Sequence, residues 1–524
     1  MPHRTSHRPH RTAPAPPRTA LTALCTAALA VLAALATPPA QAEARAAASA
    51  NARTESVTYY VDCADGSDAA SGTRPATAWR TVKKAGAAAL RPGDRVLFKR
   101  GTTCAGTFAP TASGAAGAPL GAGAYGSGAK PRIAGAGARA AILLDNVQHW
   151  ELRDLDVTNT GPATTADPRA GILVRLHDFG TGHHYLVDGV DVHDVNGADV
   201  KDPDPSGGIL FAVQGSAEPT SFAGVTVRHS TVEHTDRTGI GTSSTWGRRP
   251  EHPQGPGTSF APITGLSVHR NTVRDVGGDG IVVQNSVGAR VEHNLVDGFN
   301  ARSAGYNAGI WAWNSDHVVY QFNEVTGGHG TRDSMAYDID GGNNGNVYQY
   351  NYSHDNEGGF LLVCNGEGMT SDGNTVRYNV SVNDENKSAP YGVISVVCGP
   401  ATNTLVHNNT ITTATSGTAM VSSNGPGGVT FRNNIFAGAE ATSPIADPHN
   451  LYDHNLYARI SGVPGDSAAV RADPRFVSPG DVRLRAGSPA LGAGVAVFGS
   501  GDRDFYGNPV PDPPNIGADQ GSGR

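Results

Sequence analysis

The sequence lacks several features that would assign a protein to a functional class at once. Its 524 residues carry a formal net charge of −7, so no excess of basic residues offers a surface to nucleic acid. Cys-x-x-Cys spacing is absent, and so are serine-hydrolase, P-loop and zinc-protease motifs. After residue 130 the only lysines are Lys201 and Lys387. These absences argue against nucleic-acid binding, structural zinc and several large enzyme classes.

Long apolar runs are also absent, except near the N-terminus. Basic residues from Arg4 to Arg18 precede an apolar run from Leu21 to Ala36, and an A-x-A signature ends at Ala42. This order predicts a secretory signal peptide over residues 1–42, which would remove Cys25, and a flexible leader over residues 43–55. A membrane anchor fits less well because the run is shorter than the roughly 20 residues of a span. We expect a secreted, extracellular protein with no membrane contact after cleavage.

The composition that is present favours strands and turns over helices. The chain has 67 glycines, with many Asn, Asp, Thr and Val residues and few Leu or Lys residues. At the start of the mature chain, a strand is predicted over 57–61, a short amphipathic helix over 79–90 and a second strand over 92–98. We expect this helix to close one end of a stack of strands.

An imperfect repeat occupies most of the remaining chain. An asparagine ends the second strand of each unit, and successive asparagines lie between 21 and 30 residues apart: Asn271, Asn294, Asn323, Asn351, Asn379, Asn409, Asn434 and Asn455. That spacing fits one coil of a parallel β-solenoid, whereas propeller blades run to about 40 residues. We expect the asparagines to adopt left-handed backbone conformations at sharp corners and to hydrogen-bond from coil to coil.

The motifs at both ends of this repeat resemble those of a known superfamily. The resemblance is to secreted right-handed parallel β-helix proteins of the pectate-lyase-like superfamily. Three segments carry it: Tyr-Tyr-Val-Asp at 59–62, Pro-Gly-Asp-Arg-Val-Leu-Phe at 92–98, and the closing segment from Asp473-Pro-Arg-Phe476 to Asn515-Ile-Gly-Ala518. The resemblance implies an all-β, single-stranded right-handed parallel β-helix with a short N-terminal capping helix. We expect an N-terminal cap with the first coils over 56–135, the β-helix repeats over 136–460, and a C-terminal coil and cap over 461–524. We also expect the protein to be a monomer.

The four cysteines of the mature chain favour two disulfides in an oxidising compartment. Cys63 and Cys104 flank the first folded segment. Cys364 and Cys398 occupy matching positions of successive apolar runs, which we interpret as inward-facing, and strands stacked about 4.8 Å apart would bring them within bonding reach.

Asp338 and Asp340 are the leading candidates for catalysis. They occur in the apolar run Met335-Ala-Tyr-Asp-Ile-Asp340, and the other apolar runs aligned with it carry Leu, Val, Gln or Trp at the positions of the two aspartates. Because side chains alternate along a strand, we expect Tyr337 and Ile339 in the core and both aspartates on the outer face. Like charges this close should raise the pKa of one carboxyl, as a general acid requires. Their Cα separation, about 6.5 Å, allows either stereochemical course of glycoside hydrolysis. The alternatives are a calcium site or an Asp-rich turn.

Other polar residues could join this pair through stacking of the coils. Glu367 follows the next strand and is the best partner acid, while Asp279, Asp333 and His354 carry weaker signals because each also suits a turn. Trp311 and Trp313 are predicted to lie exposed on the outer face, where indoles stack on sugar rings. Trp246 and Tyr306 in neighbouring insertions could extend this surface, or long loops could simply cover the aromatics. The insertions at 199–205 and 248–253 are expected to line the same face.

Three functional readings remain open on the sequence. The first is a glycoside hydrolase that cleaves a polysaccharide or oligosaccharide and needs no cofactor. The second is a calcium-assisted polysaccharide lyase, in which Arg332, His354 or Lys201 would remove a proton from a uronate. The Asp-Asp-Gly-Trp-Asp pattern associated with one pectate lyase family and the Arg-Ile-Lys motif of polygalacturonases are absent, which argues against those two activities. The third is a non-catalytic adhesion solenoid.

Overall fold

Short parallel strands stacked coil upon coil build almost the whole protein. The computed structural model describes residues 55–163, 166–330, 332–366, 368–387, 391–439 and 443–524. The signal peptide, nearly all of the leader, and Glu367 fall outside the described residues. Within them, no helix is long and apolar enough to cross a membrane.

Three long sheets form the faces of the β-helix. The first sheet contains 15 strands: Thr58–Val61, Arg95–Lys99, Leu120–Tyr125, Trp150–Arg153, Thr181–Asp188, Ser221–Arg228, Ile263–His269, Ser286–Val287, Arg290–Glu292, Val319–Gln321, Val347–Gln349, Thr375–Arg377, Thr404–His407, Val429–Arg432 and Leu451–Asp453.

The second sheet contains 13 strands: Thr103–Ala105, Arg132–Ala134, Asp156–Asn159, Asp191–Val195, Thr231–Thr235, Thr272–Val276, Leu295–Asp297, Glu324–Thr326, Tyr352–His354, Val380–Val382, Thr410–Thr412, Ile435–Ala437 and Leu456–Ala458.

The third sheet contains 12 strands: Ala140–Asp145, Ala170–His177, Gly207–Gln214, Thr238–Ser244, Ile281–Gln284, Ile310–Trp313, Tyr337–Asp340, Leu361–Cys364, Ile394–Val397, Val421–Ser423, Ser443–Ala446 and Ile460–Ser461.

Smaller elements complete the chain at its ends and corners. The predicted N-terminal helix is present but spans only Val82–Gly86, after a 3₁₀ turn at Pro75–Thr77. Thr81 caps it by accepting the backbone N–H of Lys84. Ser371–Asp372 pairs with Ala401–Thr402, and the C-terminal strands Phe476–Ser478 and Asp481–Leu484 form an antiparallel hairpin. Stacked parallel strands, with a single short α-helix among the described residues, confirm the all-β solenoid.

The core is one continuous apolar column inside the coils. Inward side chains of the three sheets, such as Val291, Val296, Ile310 and Ile339, are fully buried and contact their equivalents in the next coil. A single coil buries too little apolar surface to be stable alone, so the coils stabilise one another by stacking.

The predicted asparagine ladder is present, but its backbone role differs from the expectation. Each asparagine is buried at the corner between the first and second sheets, and its side-chain amide donates to the side-chain oxygen of the next, as from Asn323 to Asn351 at 3.0 Å. The left-handed backbone belongs to the preceding residue, such as Phe322 with φ 56°. That residue turns the corner, and the turn directs the amide inward, where it binds backbone groups of the preceding coil and the asparagine side chain of the next, as Asn351 does.

Both predicted disulfides form, between Cys63 and Cys104 and between Cys364 and Cys398. The inward placement of the second pair was wrong. Leu361 and Val363 enter the core, while Leu362 and Cys364 lie in register with Asp338 and Asp340 on the outer side. The strand Leu361–Cys364 begins two residues after Gly359, which has a φ of +108°. This start is shifted by one residue relative to the aligned runs, and a shift of one residue exchanges the inward and outward side chains.

Candidate active site

The outer face of the third sheet carries the two leading carboxylates in adjacent columns. Asp338 lies in register between Trp311 and Leu362. Asp340 lies two residues further along the strand, in register with Cys364. Because side chains alternate along a strand, Tyr337 and Ile339 enter the core and both carboxylates point away from it. The pairing therefore presents two acids side by side on one surface.

Asp338 is held in an environment that favours its protonated form. Its side chain is 6% exposed, and within the described residues its Oδ1 has no hydrogen-bond partner. Burial, followed by the charges of Asp340 and Asp333, raises the pKa of Asp338 well above its ordinary value. Burying a carboxylate that lacks partners is costly, so the surroundings of Asp338 favour its protonated form.

Asp340 differs from Asp338 in exposure and in bonding. Its side chain is half-buried, and its Oδ1 accepts the backbone N–H of Gly341 at 2.7 Å. The strand ends here, and Gly342 follows with a φ of +76°. Two interacting carboxyls release their protons in separate steps, and the more solvated one ionises first. Asp340 is thus the more solvated member of the pair.

A third carboxyl, Asp333, lies close enough to affect Asp338. It is buried in the segment before the strand, and its Oδ1 accepts the backbone N–H groups of Asn307 at 3.0 Å and Ser334 at 2.8 Å. Burial raises the pKa of Asp333 even though these two hydrogen bonds lower it. Asp333 was only a weak candidate on the sequence, because nothing in a linear pattern shows that this loop folds back beside the strand.

Asp279 anchors the site from beneath rather than facing the solvent. It is fully buried, with Arg237 Nη1 at 2.9 Å and Lys201 Nζ at 3.4 Å from its Oδ2. Its Oδ1 accepts the Trp311 indole N–H at 3.0 Å and the Ala308 N–H at 3.1 Å. Burial raises the pKa of Asp279, but Lys201, Arg237 and the Ala308 bond outweigh it and lower the pKa overall. Asp279 is enclosed by these partners and has no exposed surface, so the predicted direct contact with a substrate does not fit its position.

Lys201 is the cation of the site, and an insertion brings it there. Its Nζ donates to the Tyr306 carbonyl at 2.9 Å and lies 4.5 Å from the centre of the Trp311 ring. Its charge lowers the pKa of both Asp338 and Asp333, opposing the effect of burial. The sequence named Lys201 as one candidate base, and in the structure it lies beside the buried carboxylate of Asp279.

The aromatic residues are more covered than the sequence predicted. Trp311 is only 5% exposed, because Lys201 and the indole bond to Asp279 hold it beneath the loops. Trp313 is half-buried and remains accessible beside Asp340. Trp246 is 2% exposed and belongs to the core, so its predicted place on a sugar platform was wrong. Loops that return over a solenoid face can bury outward side chains that the strand pattern alone would leave open.

The rim of the site carries Tyr306 and Arg332. Tyr306 is 54% exposed, and the Arg332 guanidinium lies 4.7 Å from the centre of its ring. A guanidinium stacked on an aromatic ring is partly desolvated but still presents N–H groups to a ligand. The structure thus brings both residues to the same edge.

Two sequence candidates do not join the described site. His354 lies on the second sheet, with Asp355 at 2.8 Å and Glu324 at 3.2 Å from its ring nitrogens. Burial lowers the pKa of His354, and the bonds to these two carboxylates reverse that effect and raise it. A histidine held between two acids on another sheet is a surface ion-pair residue. Glu367 lies outside the described residues, so its role stays a prediction.

Two polar residues at the site carried no signal in the sequence. Gln284 occupies the same column as Trp313 and Asp340, and its Nε2 donates to Asp202 Oδ2 at 3.0 Å. Burial raises the pKa of Asp202 to about 6. The run Asp-Pro-Asp-Pro at 202–205 marked an insertion, but only the folded loop shows that Asp202 turns inward. Within the described part of the chain, no group of three or more His, Cys, Asp or Glu side chains could hold a metal ion.

Comparison with known proteins agrees with this fold. The family model described as the right handed beta helix region matches residues 140–325. A lacto-N-biosidase from Bifidobacterium longum subsp. longum is 27% identical to this chain, and the match covers 94% of this chain and 38% of that protein. The chain therefore spans well under half the length of that relative.

The comparison with solved structures also agrees with the β-helix fold. The GH136 lacto-N-biosidase from Eubacterium ramulus is 25% identical, with a TM-score of 0.62 over 81% of this chain and 69% of that one. The XylC structure with xylose is 12% identical, with a TM-score of 0.52 over 88% and 98% of the two chains, a likeness of fold alone. The chain therefore has a right-handed parallel β-helix fold.

Proposed function

We propose that this protein is a glycoside hydrolase that cleaves an oligosaccharide or polysaccharide at the outer face of the third sheet. The observation that carries this proposal is the pairing of two outward carboxyls on one strand, of which Asp338 is buried and has a raised pKa while Asp340 is the more solvated. Glycosidic bond cleavage needs one carboxylic acid and one carboxylate on either side of the bond.

In the proposed mechanism, Asp338 donates its proton to the glycosidic oxygen as the leaving group departs. Asp340, ionised, stabilises the positive charge that develops on the sugar ring, and it either attacks the anomeric carbon or activates a water molecule. Trp313, beside Asp340, offers a half-buried indole face for the apolar side of a sugar ring. Lys201 and Arg237 form ion pairs with Asp279 and offset its negative charge. The buried charge of Asp279 therefore adds less to the negative charge around Asp338 and Asp340.

The names of the relatives support a finer proposal about the substrate. Two proteins similar over most of this chain are lacto-N-biosidases. We therefore propose that the enzyme releases a disaccharide of the lacto-N-biose type from the end of an oligosaccharide. Secretion through the predicted signal peptide would place it outside the cell, and hydrolysis by two carboxyls needs no metal ion, so we propose that calcium is not required.

The proposal is tested with purified protein and 4-nitrophenyl β-lacto-N-bioside, followed by a panel of oligosaccharides read for new reducing ends and for ultraviolet absorbance. Asp338→Asn and Asp340→Asn should each lower turnover by about 10²–10⁴-fold, the contribution typical of general acid–base groups. Asp333→Asn is measured beside them to find whether the third carboxyl takes part. Asp297→Asn, an exposed outward aspartate of the second sheet, is the matched control and should keep full activity.

Three outcomes would contradict the proposal. Near-normal turnover in both Asn variants would place the chemistry elsewhere on the molecule. An unsaturated, ultraviolet-absorbing product would show elimination instead of hydrolysis. Complete loss of activity in a chelator, restored by calcium, would show that the aspartates hold a metal ion.

A further inference from the structure

A second groove lies away from the paired carboxyls, between the β-helix and the C-terminal segment. Its volume is about 1210 Å³. One wall is formed by the turns after the last strands of the second sheet, at residues 382–383, 412–414 and 438–439. The other wall is formed by residues 473–480 and 485–486, which lead into and out of the C-terminal hairpin. The groove therefore runs across several coils.

Three exposed arginines line this groove: Arg459, Arg475 and Arg485. An adjoining cavity of about 450 Å³ shares Arg459 with it and adds Arg471. Among the described residues none of the four forms an ion pair, whereas the nearby Arg432 and Arg483 are paired with Asp453 and Asp481. Their neutral contacts are few: Arg459 donates to the Gly438 carbonyl at 2.7 Å, and Arg485 donates to the Val477 carbonyl.

The two carboxylates of the groove are already engaged by other groups. Asp355 accepts hydrogen bonds from Asn383 at 2.7 Å and contacts the His354 ring at 2.8 Å. Asp473 Oδ1 accepts the backbone N–H of Arg475 at 2.7 Å. No described carboxylate of the groove is ion-paired with these guanidinium groups, although the chain as a whole carries a net charge of −7.

The remaining lining suits a sugar chain. Phe476 and Val477 are half-buried and offer apolar surface, while the half-buried Thr412 offers a hydroxyl group. Sugar rings present one apolar face and a rim of hydroxyls, and guanidinium groups bind carboxylate or sulfate oxygens in pairs. We propose that this groove is a binding site for an acidic glycan, a sugar chain that carries carboxylate or sulfate groups.

The test measures binding by calorimetry at low salt with three oligosaccharides of equal length: an oligogalacturonate, a sulfated heparin fragment and a neutral galacto-oligosaccharide. We expect at least one acidic chain to bind, the neutral chain not to bind, and the affinity to fall as salt rises. In the double variant Arg475→Asn plus Arg485→Gln, the affinity should fall by at least about tenfold, since charge-assisted hydrogen bonds are lost. Asparagine is chosen at 475 because that residue has a φ of 54°.

The matched control is Arg74→Gln plus Arg80→Gln, which removes two exposed arginines from the N-terminal segment and should leave the affinity unchanged. Asp338→Asn should bind the acidic chain as the unaltered protein does, so a failure of the proposed hydrolysis would not affect this result. The oligogalacturonate and the heparin fragment distinguish carboxylate from sulfate recognition.

The proposal is overturned if neither acidic chain binds, if the neutral chain binds equally well, or if both double variants weaken binding alike. Tighter binding of a polyglutamate peptide or a thymidine oligonucleotide than of either acidic glycan would also overturn it, because the site would then recognise anionic polymers of another class. Melting temperatures within a few degrees of the unaltered protein confirm that each variant is folded.

Discussion

Asp338 and Asp340 lie two residues apart on one strand, yet their surroundings give them different chemistry. Asp338 is buried against Trp311 and Leu362, whereas Asp340 lies at the strand end beside Cys364 and takes a backbone N–H from Gly341. Burial raises the pKa of Asp338, and different surroundings are the usual means by which two carboxyls divide the roles of acid and base.

Lys201 should control the pH range of activity. Its charge lowers the pKa of Asp338, so Lys201→Met should raise that pKa further. An acid catalyst loses activity as pH rises through its pKa, and the basic limb of the kcat/KM profile should therefore move to higher pH. Lys387→Met is the control, since Lys387 pairs with Glu357 on the surface. A basic limb that stays in place or moves to lower pH would contradict the assignment.

Asp279 should contribute to stability in a pH-dependent way. Because its folded pKa is lowered, its stabilising effect is present above its unfolded pKa and is lost as pH falls through the folded value. Asp279→Asn leaves Lys201 and Arg237 without their buried partner, and the loss at pH 7 should be about 3–5 kcal/mol. Urea unfolding at pH 7 and near pH 3 measures it. An equal loss at both values would mean that the charge is not the cause.

At the scale of the element, the corner between the first and second sheets shows how the repeat works. A left-handed residue turns the chain, and the asparagine after it points inward to join two coils. Asn351, for example, donates to the Tyr320 carbonyl at 2.9 Å and accepts the backbone N–H of Asn323 at 3.0 Å. The side chain thus satisfies backbone groups that no strand can reach.

Replacing one member of this ladder should destabilise the whole stack. Asn351→Ala leaves several buried donors and acceptors without partners, each costing about 1–3 kcal/mol. The loss should appear as a lower midpoint in chemical unfolding. Gln321→Ala, which removes a half-buried outward amide from a neighbouring coil, should have a much smaller effect. Equal midpoints for the two variants would show that the ladder adds no stability.

At the scale of the molecule, the two disulfides join different parts of the same solenoid. Cys63–Cys104 ties the N-terminal strand to the second sheet, whereas Cys364–Cys398 lies on the outer face of the third sheet, where Cys364 is the neighbour of Asp340 in register. The first stabilises an end of the stack, and the second fixes the wall of the proposed active site.

Removing these disulfides should therefore have separable effects. Cys63→Ser plus Cys104→Ser should lower the melting temperature and leave turnover on the identified substrate nearly unchanged. Cys364→Ser plus Cys398→Ser should also lower turnover, because the strand beside Asp340 loses a constraint. The two disulfides close loops of 41 and 34 residues. Loops of these lengths predict a similar stabilisation of the folded state, about 4 kcal/mol for each disulfide. If both double variants lose turnover equally, the second disulfide has no special link to the site.

The sequence by itself determined the solenoid and the outward direction of the two aspartates. Coil length, the repeated asparagines and period-two alternation are local patterns, and each acts through the same contacts in every coil. That is why the fold, the disulfide partners and the core positions Tyr337 and Ile339 could be predicted without a structure.

Only the tertiary structure decided what surrounds those aspartates. Lys201, Asp279 and Asp333 are separated along the chain by tens of residues, and loops of different lengths bring them together. The burial of Trp311, the inclusion of Trp246 in the core and the outward turn of Cys364 also depend on how loops and strand starts fit. Burial and charge act through space, so the protonation of Asp338 follows from packing that no local pattern contains.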